Sequence, residues 1–272
     1  MPRMRVNDYP ASAQSRHRLS VVLGAVIIAV GMMAGARQPD RLNSPAAMPR
    51  SFSHIDDFET QVGELVDAVN AQGLPRRTTQ VDLDTHRKVS QYTDIDSSPA
   101  GYGKNACGLV AAAAALGGSD WVALADAIAQ AAGDDYRPQT GIQPSRYLAA
   151  LRQVFGARDV WALRDGSLGE LYTALEAGHV VIVDIKVNAN ARAPSARPPN
   201  YAHFARVLGM DLDRREVYVE NTLRGEAYWT IRLGDFWEAW KHPETSATLI
   251  LDRRRAEDVT RWAVVVSGAW IP

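Results

Sequence analysis

Helical patterns precede strand patterns along this chain, and the change comes at Gly178. Apolar residues recur at helical spacing up to that glycine, and the predicted helices span residues 53–73, 107–116, 119–133, 144–156 and 167–178. After it come β-branched and aromatic runs joined mostly by short turns, and the predicted strands span residues 179–187, 203–210, 216–221, 227–233, 247–252 and 262–267. Helices followed by such strands indicate an α+β fold, with a helical half packed on a twisted antiparallel sheet.

The composition is that of a globular protein: of 272 residues, 46% are hydrophobic and 22% are charged, and the formal net charge is −1. A near-neutral chain has no strong electrostatic attraction for nucleic acid, so we expect no nucleic-acid partner. No internal repeat divides the sequence, and we expect one main domain at residues 101–272. Before it, residues 53–100 are predicted as an N-terminal helical extension, with Ser53 as the N-cap of its helix and a short strand at 81–83.

The N-terminal residues have the pattern of an export signal. Three basic residues, 16–18, precede the uncharged apolar stretch 19–36, which closes on Ala-Gly-Ala, a small-residue pattern typical of signal-peptidase sites. The stretch is also close to the length that spans a bilayer. Residues 1–36 are therefore predicted as a signal peptide or as an N-terminal membrane anchor, and the protein as secreted or membrane-anchored, outside the cytoplasm. Residues 37–52, rich in Pro, Arg and Ser, are predicted as a flexible linker.

Cys107 is the only cysteine in the chain, so it cannot form an internal disulfide. It follows a glycine-containing loop and opens an alanine-rich run, which places it in the first turn of the predicted helix 107–116. The unpaired N–H groups and the positive dipole end of a helix favour a thiolate, lower the cysteine pKa and supply a donor for a developing oxyanion. Cys107 is therefore either a nucleophile or a small core residue.

A thiolate nucleophile needs a base within hydrogen-bond reach, and the base needs a group that fixes its tautomer. Of the six histidines, His179 and His203 begin predicted strands, where a side chain is held firmly enough to act. A hairpin pairing centred near Leu212 sets His203 opposite Asn221 on an otherwise apolar face, where a His–Asn hydrogen bond would satisfy two buried polar groups. Asp184 is a rival third member, but nothing in the pattern pairs it with His203.

Three motifs, NACGLVAAAAAL at Cys107, YAHFARVLGMD at His203 and VYVENT at Asn221, resemble the papain-like cysteine peptidases of the bacteriocin-processing type, whose founding members cut double-glycine leader peptides. LEAGHVVIVDI is similar to that family's helix and first core strand, and GDFWEAW (234–240) is similar to a helix after its catalytic hairpin. The resemblance covers about residues 101–251. It implies a papain-like fold and thiol acyl transfer, in which Cys107 attacks an amide carbonyl, His203 moves the proton and Asn221 orients His203, with no metal or cofactor.

The chain departs from this family at two positions. Asn221 stands where the family usually has Asp; an amide can orient the imidazole ring but adds no negative charge. Gly101 stands where relatives tend to carry the Gln of the oxyanion hole. Asn105 is the nearest amide that can replace it and is the predicted oxyanion-hole residue, with Lys104 as another candidate.

Three hypotheses from different classes follow. The leading one is an exported or membrane-tethered cysteine peptidase or amide hydrolase that acts on a peptide or protein through a Cys107–His203–Asn221 triad and a thioester acyl-enzyme. The second is a transpeptidase or amidase acting on cell-wall or small peptides, in which an amine rather than water accepts the acyl group. The third is a non-catalytic papain-like binding module in which Cys107 is structural.

Overall fold

The computed structural model describes residues 57–86, 105–117, 121–137, 141–157, 159–197, 199–223, 226–240 and 261–268. All of them belong to one compact unit, Ala47–Pro272. The predicted leader 1–36, the linker 37–52 and the strand 247–252 lie outside the described residues, as do Ser53, Gly101 and Lys104.

Six α-helices and seven strands occur within these ranges. The helices are α1 (Phe58–Ala71), α2 (Cys107–Leu116), α3 (Trp121–Ala132), α4 (Pro144–Phe155), α5 (Leu168–Glu176) and α6 (Leu233–Trp240). The strands are β1 (Arg77–Thr79), β2 (Val160–Leu163), β3 (Val180–Asn188), β4 (Asn200–Asp211), β5 (Glu216–Glu220), β6 (Tyr228–Arg232) and β7 (Ala263–Val266).

The strands of the described residues form one sheet in the order β2-β7-β3-β4-β5-β6, and β1 pairs with β4 beside them. Every pair is antiparallel. The prediction of an α+β fold built on an antiparallel sheet is therefore confirmed. β4 lies at its centre, because it pairs with β3 along its N-terminal part and with β1 and β5 along its C-terminal part.

Helices cover both faces of this sheet. On β3, Val181 and Val183 pack with α1, α5 and α6, whereas Val180 and Ile182 pack with α2 and α4. Successive side chains of a strand face opposite sides, so the two helical layers use alternate positions of the same strand. Burial on both faces explains why β3 reads as a continuous apolar run in the sequence.

Side-chain caps set the starts of two helices. Asp57 accepts a hydrogen bond from the backbone N–H of Thr60 at 3.1 Å and caps α1, so the prediction of Ser53 as the N-cap is wrong. Asp57 stands directly before the buried stripe of α1, and this position decides where the helix begins. Ser167 and Glu170 form a capping box at the start of α5.

Two strand predictions need correction. The short strand predicted at 81–83 lies at Arg77–Thr79, because Gly209 of β4 has no side chain and so lets the backbone of β1 approach closely. Strand β2 was not predicted from the sequence. It has four residues and is defined by its pairing with β7, and such a short run carries little periodic signal of its own.

The β4–β5 hairpin contains a bulge that changes its register. A pairing centred on Leu212 would set Val207 opposite Val217, but the structure pairs Val207 with Val219 and shifts register before Gly209. One extra residue on β4, Leu208, takes up the shift, and its carbonyl accepts a hydrogen bond from the N–H of Gln80 at 2.8 Å. The predicted register is wrong because the turn is centred later in the chain than Leu212, with Asp211 paired to Glu216.

We expect Gly209→Ala to lower the free energy of unfolding by about 1–3 kcal/mol, as overpacking does in well-packed interiors. An added Cβ would collide with the carbonyl oxygen of Thr78 and lie 2.9 Å from the Cα of Thr79. Urea unfolding measures the change.

Gly63→Ala is the matched control for this substitution. Gly63 is exposed in α1, and nothing lies within 4 Å of a Cβ added there. Alanine has the higher helix propensity, so this variant should gain up to about 1 kcal/mol. Equal effects of the two substitutions would contradict the proposed approach of β1 to Gly209.

Candidate active site

Cys107 is the first residue of α2, and the packing of that helix fixes its position. The next residue, Gly108, would place a Cβ only 3.2 Å from the ring of Phe204, so only a residue without a side chain fits easily between α2 and β4. The hydroxyl of Tyr147 donates to the carbonyl oxygen of Gly108 at 2.5 Å. Most of α2 is buried, including its run of alanines, and the helix therefore presents Cys107 from a rigid support.

Burial controls the protonation of Cys107, which is only partly accessible to solvent. Burial raises the pKa of its thiol to about 11, and the charge of Asp184 adds to this rise. The backbone N–H groups of Phe204, Gly108 and Cys107 itself interact with the sulfur and favour the thiolate, but they do not outweigh burial. The expectation that the helix N-terminus lowers this pKa is therefore wrong for the resting protein, in which the thiol is neutral at pH 7.

His203 lies near the start of β4, with 2% of its surface exposed. Burial lowers the pKa of its imidazole to about 4, so the ring is neutral at pH 7. The Nε2 atom lies 3.4 Å from the hydroxyl of Thr222. Two aromatic rings meet the imidazole edge to face, Trp229 with its centroid 6.0 Å away and Tyr201 at 6.4 Å.

Cys107 and His203 approach the same part of β4 from different directions. Phe204 packs with α2, while its neighbour His203 lies opposite Ile185 of β3, which belongs to the other face of the sheet. Backbone N–H groups of a strand lie in the plane of the sheet. The sulfur meets the N–H of Phe204, directly after His203, yet no hydrogen bond joins the Cys107 and His203 side chains, both of which the structure describes.

Asn221 follows the last residue of β5 and is 2% exposed. It does not lie opposite His203, because the paired part of β4 and β5 begins at Val207 and Val219. Its Oδ1 accepts a hydrogen bond from the N–H of Leu223 at 3.0 Å, and its own N–H donates to the carbonyl of Ala227 at 2.9 Å. The side chain that contacts His203 here is the next residue, Thr222.

Two other predicted candidates can be placed. Asn105, the predicted oxyanion-hole residue, lies two residues before Cys107, and its carbonyl oxygen is 3.1 Å from where a Cβ on Gly141 would be. Asp184, the rival third member, is 3% exposed and lies opposite Phe204 rather than His203. Asp184 therefore acts on the thiol through its charge, and nothing in the register makes it a partner of His203.

Several residues near the thiol were not found by sequence reasoning. Tyr136 and Tyr147 both lie close enough to Cys107 for a thiolate to raise the pKa of their hydroxyls, although burial is the larger cause. Tyr147 belongs to the buried stripe of α4, which the helical period reveals, but its position beside the thiol depends on tertiary packing. Thr222 directly follows Asn221 in the sequence. The turn after β5, which no sequence pattern shows, brings its hydroxyl to His203.

A buried polar cluster lies on β4 and β5 near the same end of the sheet. Glu220 is 1% exposed, and its Oε1 lies 3.2 Å from Nε2 of His86. Burial lowers the pKa of Arg206, and the charge of Glu220 opposes that shift. Within the described residues, no group of three or more His, Cys, Asp or Glu side chains is arranged to hold a metal ion. None of the described helices has the length and apolar character needed to cross a bilayer.

Comparisons with solved structures give a structural likeness. No protein-family model matches the chain, and no curated protein matches it. A crystal structure from Bacillus anthracis, described as a "putative C39-like peptidase", is similar to this chain with a TM-score of 0.43 and 14% sequence identity. The match covers 70% of this chain and 96% of that one.

The buried His203 should make the fold sensitive to acid. Its pKa falls from 6.5 to about 4 on folding, so below pH 6.5 the unfolded chain binds a proton that the folded chain does not. The stability that His203 contributes is present above pH 6.5 and is lost as the pH falls towards 4, a change of about 3 kcal/mol at 1.36 kcal/mol per pKa unit. Urea unfolding at pH 7 and pH 4 should show this extra loss relative to His203→Gln, and equal losses would contradict it.

Proposed function

We propose that the protein is a thiol-dependent amide hydrolase of the cysteine peptidase type, with Cys107 as nucleophile and His203 as base. One observation carries the proposal: the sulfur lies at the first turn of a buried helix and against the backbone N–H of Phe204, the residue that follows His203. The only thiol of the chain therefore lies against the backbone of β4 at the residue next to the buried His203. The geometry of the chain itself supports the proposal.

The reaction starts from two neutral groups. As the sulfur of Cys107 attacks the amide carbon, His203 takes the thiol proton, so that the C–S bond forms while the S–H bond breaks. The imidazolium then gives its proton to the leaving amine, the C–N bond breaks and a thioester remains. Water, deprotonated by His203, attacks the thioester carbonyl; the carboxylic acid leaves and the thiol is restored.

The negative charge that develops on the substrate oxygen needs donors. The N–H groups at the start of α2 are suited to it, because Ala106, the N-cap, has no side-chain hydrogen bond to them. We keep Asn105 as the side-chain donor of this oxyanion hole. Asn221 supports the base by fixing the turn beside it, where its Oδ1 holds the N–H of Leu223.

We further propose that the substrate is a peptide or protein outside the cytoplasm. The apolar stretch 19–36 with its basic flank supports export or tethering of the domain to a membrane. A transpeptidase or amidase acting on cell-wall or small peptides would use the same thioester and differ only in the acceptor. An added amine that captures the acetyl group from 4-nitrophenyl acetate would identify such a transferase.

A non-catalytic binding module is the second candidate, and a specific observation favours it. The thiol pKa is about 11, the imidazole pKa is about 4, and the two side chains share no hydrogen bond. A structural cysteine in a buried helix has such properties. The two functions differ in whether His203 assists the reactivity of Cys107.

Alkylation of the full chain by iodoacetamide from pH 3 to pH 11 tests the proposal, because only Cys107 can react as a thiol. For the hydrolase, the rate should rise near pH 4, where His203 loses its proton and becomes a base, and again towards pH 11. His203→Gln should abolish the first rise and slow the reaction at pH 7 by about a hundredfold.

His179→Gln is the matched control. His179 lies directly before β3, and its Nδ1 accepts a hydrogen bond from the N–H of Gly268 at 3.0 Å, so this variant should keep both rises. A single rise towards pH 11 that is the same in wild type and His203→Gln would overturn the hydrolase and favour the binding module.

A further inference from the structure

Thr222 is a buried threonine whose hydroxyl faces the proposed base. Its side chain is 0% exposed, and its Oγ1 lies 3.4 Å from Nε2 of His203. A buried hydroxyl is stable only when it is hydrogen-bonded, because its transfer from water costs free energy otherwise. The contact therefore gives a hydrogen-bond partner to both the Thr222 hydroxyl and Nε2 of His203.

We propose that the Thr222 hydroxyl orients the His203 ring for proton transfer. The inference rests on the proposed function, since orientation matters only if His203 is a base. A neutral imidazole carries one N–H. When Nε2–H donates to Thr222, the lone pair is on Nδ1, which is then the atom able to take the thiol proton under the proposed function.

Asn221 builds the turn that carries Thr222. Its Oδ1 accepts from the N–H two residues ahead, at Leu223, which is the hydrogen bond of an Asx-turn. Its backbone N–H donates across the loop to Ala227. This turn follows the end of β5 and directs the Thr222 side chain towards β4. The amide thus builds the turn, and the hydroxyl contacts the base.

Two aromatic side chains also pack against the His203 ring. Trp229 makes an interplanar angle of 76° with His203, and Tyr201 makes one of 87°. Rings in this arrangement prefer edge-to-face packing and resist rotation of the imidazole about its bonds. Packing fixes the plane of the ring, and in this proposal the Thr222 hydroxyl accepts from Nε2–H and leaves Nδ1 without a proton. Thr222 is thus a positioning residue.

The first test reads the tautomer of His203 directly. Nitrogen-15 NMR of the full chain labelled at histidine, with His203→Gln used to assign the signal, distinguishes Nε2–H from Nδ1–H. We expect the Nε2–H form at pH 7 and a shift of the Nε2 signal in Thr222→Val. A resting Nδ1–H tautomer would overturn the inference without any need for a variant at Thr222 to fold.

The second test uses iodoacetamide alkylation of Cys107 at pH 7. Thr222→Val removes the hydroxyl at nearly constant volume and should lower the His203-dependent rate about tenfold, as the loss of one hydrogen bond would. Thr222→Ser keeps a hydroxyl and should retain the wild-type rate. Thr230→Val, an exposed threonine on β6, is the matched control and should change nothing.

The outcomes separate the inference from the proposed function. A His203-dependent rate that Thr222→Val leaves unchanged would overturn the role of Thr222 and leave the hydrolase intact. If wild type and His203→Gln react at the same rate, the hydrolase fails. The NMR measurement then still decides whether Thr222 sets the tautomer of the ring.

Discussion

The packing of the start of α2 on β4 is the contact on which the candidate site depends. Gly108 lets the ring of Phe204 lie against the helix, and Tyr147 holds the carbonyl oxygen of the same glycine. A side chain at residue 108 would push the helix away from the sheet. The sulfur of Cys107 would then lose the N–H of Phe204. The close packing of Gly108 in the apolar core is therefore also what places the thiol of Cys107.

Burial and the helix terminus act on the thiol in opposite directions, and their sizes decide the outcome. A helix N-terminus stabilises a negative charge by about 0.3–1 kcal/mol, and by about 2 kcal/mol in favourable geometry. Full burial of an ionisable group shifts its pKa by up to about 3–5 units, each worth about 1.4 kcal/mol. The rise of the Cys107 pKa follows from this difference. A sequence pattern shows the helix terminus but not the depth of burial.

The local patterns of the sequence predicted the helices and most strands, because each depends on periods and caps within one segment. What they missed depends on contacts between segments. The turn of the β4–β5 hairpin is centred beyond Leu212, and Leu208 forms a bulge whose carbonyl oxygen accepts from the N–H of Gln80, far away in the chain. The proposed role of Thr222 depends on the turn after β5, in which Asn221 accepts from the N–H of Leu223. The positions of Cys107 and His203 were predictable, whereas their protonation states were not.

A neutral thiol and a neutral imidazole suit a buried site better than a resting ion pair would. An ion pair kept in apolar surroundings carries a desolvation cost that the attraction between its charges does not always offset. Under the proposed mechanism, charge forms only when a substrate carbonyl lies against the N–H groups at the start of α2, which then bind the oxyanion. The proton that leaves the sulfur creates an imidazolium beside the hydroxyl of Thr222, which accepts a stronger hydrogen bond from the charged ring. Charge therefore appears in this site at the moment when groups on both sides are in place to bind it.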